Sequence, residues 1–343
     1  MHSKSPAITG LLAVILIASA FLSARAGEKP REEPLFRFGL VADIQYSDRD
    51  TFRSMRFREV PEKLAACIER FNRESLPFVI EMGDIIANSG ITEEMERQLL
   101  MLAESGEFSS SREMSNPNLF LLPTLSKAEI YQNGVRDLGV IFPLIDRYQG
   151  EWRHVQGNHD SGIRRLLRER FGGWYFYYSF VQQGTRFLIL DTTEEGDGVL
   201  SERQLSWFRR EVREAGENRE KVLIFGHHPF LPVPGAARKW TYFSDPLPVH
   251  RILRDVAHEA VYFAGHEHIG GYFYKNGIHH VTLQALLESG PEGAGAVVSV
   301  YEDRVEIIGL GEQPSLVLPF GRQGRWLSEK DRPKPQPGSS PAR

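Results

Sequence analysis

Cysteine is almost absent from this sequence, which has 343 residues and one thiol, at Cys67. A single cysteine excludes an intrachain disulfide, so stability has to come from an apolar core. Cys67 stands in an apolar, helix-like stretch, where we predict a small buried side chain rather than a reactive thiol. An excess of positive charge is also missing, because 41 Lys and Arg face 45 Asp and Glu. This balance supplies no basic surface for a nucleic-acid backbone, and we expect no nucleic-acid partner.

Long apolar runs are missing beyond residue 26. Residues 1–26 combine a basic Lys4, an apolar stretch and the small-residue ending Ala24-Arg25-Ala26, which is typical of a secretory signal peptide cleaved after Ala26. The alternative is an uncut membrane anchor, for which the apolar run is short. We therefore expect an exported protein, periplasmic or secreted, without stable membrane insertion after cleavage. Nothing in the sequence indicates a protein partner.

Short runs rich in Val, Ile, Leu and Phe alternate with segments of helical period before Gly277, and strand follows strand after it. This order predicts a layered α/β domain that ends in a β-rich half. Ser201 followed by Gln204 indicates a capping box at the start of a helix. The predicted strands are 36–42, 78–82, 152–156, 186–190, 221–225, 260–264, 279–283, 296–301 and 305–310, and the predicted helices are 61–72, 92–103, 161–171 and 201–215.

Two segments have no clear period. Residues 104–134 are rich in Ser, Asn and Pro and are long enough for a functional loop or a lid. Residues 321–343 are polar and rich in proline, which is typical of a disordered tail. The predicted folded domain therefore spans residues 27–320.

Five short polar clusters each follow a predicted strand, where the loops of an α/β sheet meet to form sites. Each cluster supplies an oxygen or an imidazole nitrogen, and four contain glycine, which allows the backbone to approach an ion or a phosphate closely. Any one cluster alone would indicate only a turn or a cap, but together they offer enough ligands for two divalent ions. The clusters are Asp43-Ile44-Gln45, Gly83-Asp84, Gly157-Asn158-His159-Asp160, Gly226-His227-His228 and Gly265-His266-Glu267-His268.

In this order the clusters resemble the five motifs of the calcineurin-like metallophosphoesterase superfamily, over roughly residues 36–310. The resemblance implies a four-layer α/β/β/α sandwich and a metal-dependent hydrolase that cleaves a phosphodiester or nucleotide diphosphate linkage with a hydroxide activated by two metal ions. It implies that Asp84 bridges the ions. The other implied ligands are Asp43, Gln45 and His268 for the first ion, and Asn158, His227 and His266 for the second.

The resemblance also implies that His159 is the general acid for the leaving group and that Asp160 orients it. An alternative role for His159 is a hydrogen bond that only orients Asn158. We leave His228 outside the catalytic set, because the adjacent Pro229 equally indicates a turn.

Gln45 departs from the superfamily, which usually has His at this position. A carbonyl oxygen in place of a ring nitrogen favours Mn²⁺ as the cofactor, with Mg²⁺, Fe and Zn²⁺ as alternatives. Residues 43–46 and 83–86 resemble the manganese-dependent ADP-ribose/CDP-alcohol diphosphatase branch, which implies a small phosphorylated substrate. The alternatives are a phosphomonoesterase, a phosphodiesterase acting on glycerophosphodiesters or cyclic nucleotides, and a non-catalytic metal-binding relative.

Overall fold

The computed structural model describes residues 32–326 except 50, 52–53, 88–125, 174, 235–241, 244, 255 and 257–258. The predicted signal peptide, the predicted helix at 92–103 and most of the 104–134 segment lie outside the described residues. Leu35 begins the unit that contains all of the elements given below. Among the described residues, we find no helix with the length and apolar character that a membrane span requires.

The strands form two sheets, and their ranges match most of the predicted ones. The described strands are β1 (Phe36–Val41), β2 (Phe78–Glu81), β3 (Glu151–His154), β4 (Tyr178–Gln182), β5 (Thr185–Ile189), β6 (Lys221–Phe225), β7 (Ala260–Ala264), β8 (Ile269–Lys275), β9 (Ile278–Gln284), β10 (Ala294–Val300), β11 (Arg304–Gly311), β12 (Leu316–Pro319) and β13 (Arg325–Trp326). The first sheet has the order β13-β12-β11-β10-β1-β2-β3, and the second has the order β4-β5-β6-β7-β9-β8. Strand β13, which pairs with β12, lies beyond the predicted domain end at 320.

Helices flank both sheets. The described α-helices are α1 (Val60–Arg73), α2 (Lys127–Ile145), α3 (Arg164–Phe171), α4 (Glu202–Asn218) and α5 (Leu247–Leu253). Helix α2 begins at Lys127, so the prediction of an aperiodic segment was wrong for residues 127–134. A complete capping box stabilises that start, because Ser126 accepts from the Glu129 N–H while the Glu129 carboxylate accepts from the Ser126 N–H.

Three apolar clusters separate four layers, as the resemblance implied. The first cluster joins α1, α2 and α3 to the first sheet, the second lies between the sheets, and the third joins α4 and α5 to the second sheet. Successive residues of β6 alternate between clusters, with Leu223 facing the first sheet and Ile224 facing α4. Between the sheets, Phe225 stacks on Phe187 and on Phe263 at centroid distances of 5.6 and 5.1 Å.

Two local predictions can be checked directly. Cys67 is buried in the first cluster, as predicted, and burial raises the pKa of its thiol to about 12. Ser201 caps α4 by accepting a hydrogen bond from the Gln204 N–H at 3.1 Å. The reciprocal half of the predicted capping box is replaced, because the Gln204 side chain instead bonds to the backbone N–H and C=O of Asp191.

Candidate metal centre

All nine predicted site residues lie in the loops that follow β1, β2, β3, β6 and β7. The first three of these strands belong to one sheet and the last two to the other, so both sheets contribute to the site. The loops approach each other very closely: a Cβ on Gly157 would lie 2.2 Å from the backbone nitrogen of Asp84. Only glycine fits there, which explains one of the glycines in the predicted clusters.

Four predicted ligands have a left-handed backbone, which is uncommon for residues other than glycine. Their φ angles are 49° at Asp43, 43° at Gln45, 59° at Asp84 and 65° at His266. Each such conformation costs on the order of 1–3 kcal/mol, and such residues concentrate at functional sites. The strained loops therefore support a functional role for this edge of the sheets.

The second predicted ligand group converges on one ring nitrogen. Nε2 of His227 lies 2.9 Å from Oδ1 of Asn158, 3.1 Å from Nδ1 of His266 and 3.3 Å from Oδ2 of Asp84. Ligand atoms of Asp84, His227 and His266 all lie within 4.8 Å of one another, close enough to hold one ion. The structure thus brings together all four residues of the predicted second group.

The chemistry of these atoms fits a divalent cation. Nδ1 of His227 lies 2.9 Å from the carbonyl oxygen of Met82, which can only accept, so Nδ1 carries the hydrogen and Nε2 of the neutral ring offers a lone pair. Burial alone would lower the pKa of His227, but the charge and hydrogen bond of Asp84, the charge of Asp43 and the Met82 carbonyl together outweigh burial and raise the pKa to about 10. The electrostatic field at this point therefore favours positive charge, which a proton or a metal ion can supply.

In the first predicted group, His268 and Asp43 lie farther apart than the ligand atoms around Nε2 of His227. Nε2 of His268 lies 3.7 Å from Oδ1 of Asp43, and the Asp43 carboxylate accepts from the His266 N–H at 2.9 Å. Burial raises the pKa of Asp43 to about 6, although the charge of His268 opposes this shift. The Gln45 side chain donates to Oδ2 of Asp84 at 3.0 Å, so its carbonyl oxygen would face an ion only after the amide turns over.

His159 lies at the mouth of the site. Its backbone N–H donates to Oδ1 of Asp84 at 2.8 Å, and its ring Nε2 is 3.9 Å from Oδ2 of the same residue. The side chain is 19% exposed, and Nδ1 has no hydrogen-bond partner in the described part of the chain. His228, by contrast, is buried with Nδ1 2.8 Å from Oγ1 of Thr192.

Asp160 does not orient His159, so that prediction was wrong. Its carboxylate accepts three backbone hydrogen bonds, from Asp84 at 2.8 Å, Ile85 at 3.0 Å and Gly157 at 3.1 Å. Carboxylates can satisfy up to about four donors, and buried N–H groups rarely remain unpaired. Asp160 therefore fixes the backbone of two ligand loops relative to each other.

A buried pair behind these loops was missed by the sequence reasoning. Oε2 of Glu81 lies 2.5 Å from Nδ1 of His154, and Oε1 accepts from the Gly83 N–H at 2.7 Å. Burial raises the pKa of Glu81 well above its usual value and lowers the pKa of His154 to about 4. The available signal was a charged residue in an otherwise apolar strand, two positions before Gly83.

Comparisons with known proteins identify relatives of this chain. A human manganese-dependent ADP-ribose/CDP-alcohol diphosphatase is 32% identical over 338 residues, covering 85% of this chain and 94% of the relative. The enzyme of the same name from Arabidopsis thaliana is 25% identical over 309 residues, covering 82% of this chain and 96% of the relative. No family model matches the chain.

A solved structure confirms the architecture. The crystal structure of a dimetal phosphatase from Danio rerio superposes with a TM-score of 0.65 and 22% identity, and the match covers 84% of this chain and 100% of that one. At this level of identity the likeness shows the fold. The two-sheet sandwich is thus the fold of a dimetal phosphatase.

Proposed function

Because the chain belongs to the manganese-dependent ADP-ribose/CDP-alcohol diphosphatases of the calcineurin-like metallophosphoesterase superfamily, we propose that it hydrolyses the diphosphate linkage of a nucleotide derivative such as ADP-ribose or a CDP-alcohol. The chain is a metal-dependent hydrolase of phosphoric ester or diphosphate bonds and uses a divalent cation. The preference for Mn²⁺ and the number of ions, two, are part of the proposal.

The convergence of three ligand side chains on Nε2 of His227 carries this proposal. The proposed second ion would be held by Asp84, Asn158, His227 and His266, and the first by Asp43, Gln45, Asp84 and His268. Asp84 suits a bridging role, because its Oδ2 lies 3.0 Å from the Gln45 amide and 3.3 Å from His227. Divalent cations at such a centre polarise phosphoryl oxygens and lower the pKa of water enough to provide hydroxide near neutral pH.

His159 is the proposed general acid. Its partly exposed ring lies beside Asp84, so it can reach an oxygen of a bound substrate without leaving the site. The hydrogen bond from its backbone to Asp84 fixes the main chain of His159 relative to the ligand group. Donation of a proton to the departing phosphate oxygen contributes typically about 10²- to 10⁴-fold in rate.

Export completes the proposal. Residues 1–26 have the basic start, apolar stretch and small-residue ending of a signal peptide, which supports a periplasmic or secreted enzyme. The test is N-terminal sequencing of the protein recovered outside the cytoplasm, where cleavage after Ala26 is expected. A chain that stays cytoplasmic with Met1 intact would contradict export.

The activity test is hydrolysis of ADP-ribose, CDP-choline, bis-p-nitrophenyl phosphate and p-nitrophenyl phosphate by the purified protein with Mn²⁺, Mg²⁺ or Zn²⁺. We expect Mn²⁺-dependent cleavage of the two diphosphates, with loss of at least about 10²-fold in kcat for His159→Ala. Asp84→Asn should remove activity because it weakens the proposed bridging ligand.

The matched control is Asp303→Asn, which removes the same charge from a carboxylate that is 68% exposed on the surface. It should leave turnover unchanged. Preference for p-nitrophenyl phosphate over both diphosphates would favour a phosphomonoesterase instead, and turnover that is insensitive to chelation would contradict the metal-dependent reaction.

A further inference from the structure

Glu288 forms a carboxylate–histidine pair with a predicted metal ligand. Its Oε2 lies 2.7 Å from Nδ1 of His268, while the other ring nitrogen, Nε2, faces Oδ1 of Asp43 at 3.7 Å. An ionised carboxylate only accepts hydrogen bonds, so Nδ1 carries a hydrogen, and Nε2 offers its lone pair toward Asp43 whenever the ring is neutral. The pair therefore selects the tautomer that can bind an ion at the first site.

The backbone around Glu288 makes this orientation reproducible. The segment 285–289 follows β9 and is bonded to both ligand loops of the first site: the Ala285 N–H donates to the His268 carbonyl at 3.1 Å, and the Leu287 N–H donates to the Asp43 carbonyl at 3.2 Å. The ammonium group of Lys63, 1% exposed, donates to the Leu287 carbonyl at 2.8 Å. Glu288 thus stands on a segment whose position is tied to Asp43 and His268 together.

The first site has particular need of a strong nitrogen donor. Gln45 can offer this site only an amide oxygen, and Asp43 offers only carboxylate oxygens. His268 is therefore the one nitrogen ligand among the residues proposed for the first site. A carboxylate that accepts from the outer nitrogen of a metal-binding imidazole fixes the ring and raises its basicity as a ligand. The loss of an imidazole at Gln45 can therefore be offset at His268.

We infer that Glu288 is a positioning residue of the first metal site, which holds the His268 ring toward Asp43 and strengthens Nε2 as a ligand. The inference rests on the proposed ligand role of His268, but it does not depend on which phosphorylated compound is the substrate. Glu288 also accepts a hydrogen bond from Ser54 at 3.4 Å, on the rim of the site.

The test is titration of the metal-free full-length protein with Mn²⁺. Calorimetry measures the heat of binding, and the EPR signal measures the free Mn²⁺. For Glu288→Ala we expect the affinity of one of the two ions to fall about 10- to 100-fold, with the other unchanged. Glu288→Gln retains an acceptor for Nδ1 but loses the charge, so its affinity should lie between those of the wild type and Glu288→Ala.

Glu312→Gln is the matched control. Its carboxylate accepts from the Gly290 N–H at 3.0 Å and so contacts the same part of the chain without touching His268. It should bind both ions with wild-type affinity. A purely structural role for Glu288 would lower the melting temperature of the metal-free protein, whereas a positioning role should leave it near that of the wild type and reduce only the increase that Mn²⁺ produces.

Wild-type affinity for both ions in Glu288→Ala and Glu288→Gln would overturn the inference. A wild-type protein that takes up fewer than two Mn²⁺ ions would overturn it as well. If the wild type binds two ions but cleaves neither ADP-ribose nor CDP-choline, the proposed substrate fails while the role of Glu288 stands.

Discussion

Glu81 and His154 form a fully buried pair in which Oε2 lies 2.5 Å from Nδ1, and the same carboxylate accepts from the N–H of Gly83, the residue before Asp84. The backbone next to the proposed bridging ligand is therefore held by a hydrogen bond to this buried pair.

Truncation of this pair should destabilise the fold. Glu81→Ala leaves the Gly83 N–H and Nδ1 of His154 without partners in the core, and we expect the free energy of unfolding to fall by about 2–4 kcal/mol. Glu81→Gln should cost less than about 1 kcal/mol, because its amide can both accept from Gly83 and donate to His154. Urea denaturation of the two variants measures the difference, and equal stabilities would contradict the pair's role.

Asp160 provides a second prediction, because its role differs from that expected from the sequence. In Asp160→Asn the amide presents a donor to at least one of the three backbone N–H groups that the carboxylate accepts, so stability should fall by about 1–3 kcal/mol. The pH profile of kcat should keep its shape, since the residue does not contact His159. A displaced limb of the profile would instead indicate that Asp160 tunes the general acid.

Metal binding should stabilise the protein measurably. Ligands that bind only the folded state contribute about 2.7 kcal/mol at a free concentration of one hundred times Kd. We expect the melting temperature to rise with added Mn²⁺ and to return to its starting value with a chelator, while Asp84→Asn shows a much smaller rise. Scanning calorimetry measures both. An equal rise in Asp84→Asn would place the ion elsewhere.

His280 should make stability depend on pH. It is 3% exposed and stacks on Phe273 at a centroid distance of 4.6 Å, and burial lowers its pKa to about 3. The same side chain in the unfolded chain has its ordinary pKa of about 6.5. Above that pH, His280 is neutral in both states and does not change the free energy of unfolding. Between about pH 6.5 and 3 only the unfolded chain binds the proton, so the free energy of unfolding falls by about 1.4 kcal/mol per pH unit.

His280→Phe keeps an aromatic ring in the stack and removes the titration. Its stability should therefore fall less steeply than that of the wild type between pH 6.5 and pH 4, as measured by urea denaturation at several pH values. Parallel curves for the two proteins would show that His280 does not titrate in this range.

The sequence predicted those parts of the fold that are encoded locally. The runs at 221–225 and 260–264 coincide with β6 and β7, because both faces of these strands are buried after Lys221 and all the other residues of the two runs are apolar. Helix α2 was missed although Ser126 and Glu129 carry a capping-box signature, because Gly134, Gly139 and Pro143 interrupt the pattern of good helix formers.

The candidate ligands were predictable because they belong to short motifs after strands, whereas their supporting residues were not. Asp160 binds backbone N–H groups, which every residue except proline has, so its partners leave no mark in the sequence. Glu288 reaches His268 only through the hairpin of β8 and β9 and the turn that follows, and no spacing rule connects the two.

The site is assembled from two sheets, and three backbone N–H groups that follow strands of the second sheet, those of His266, Leu286 and Leu287, donate to Ala42 or Asp43 at the end of β1. A cation coordinated from both sides would cross-link the sheets as a disulfide does in many exported proteins, but reversibly and without thiols. The folded chain would then resist proteases for longer when more free metal is available, and the redox state of its surroundings would not matter.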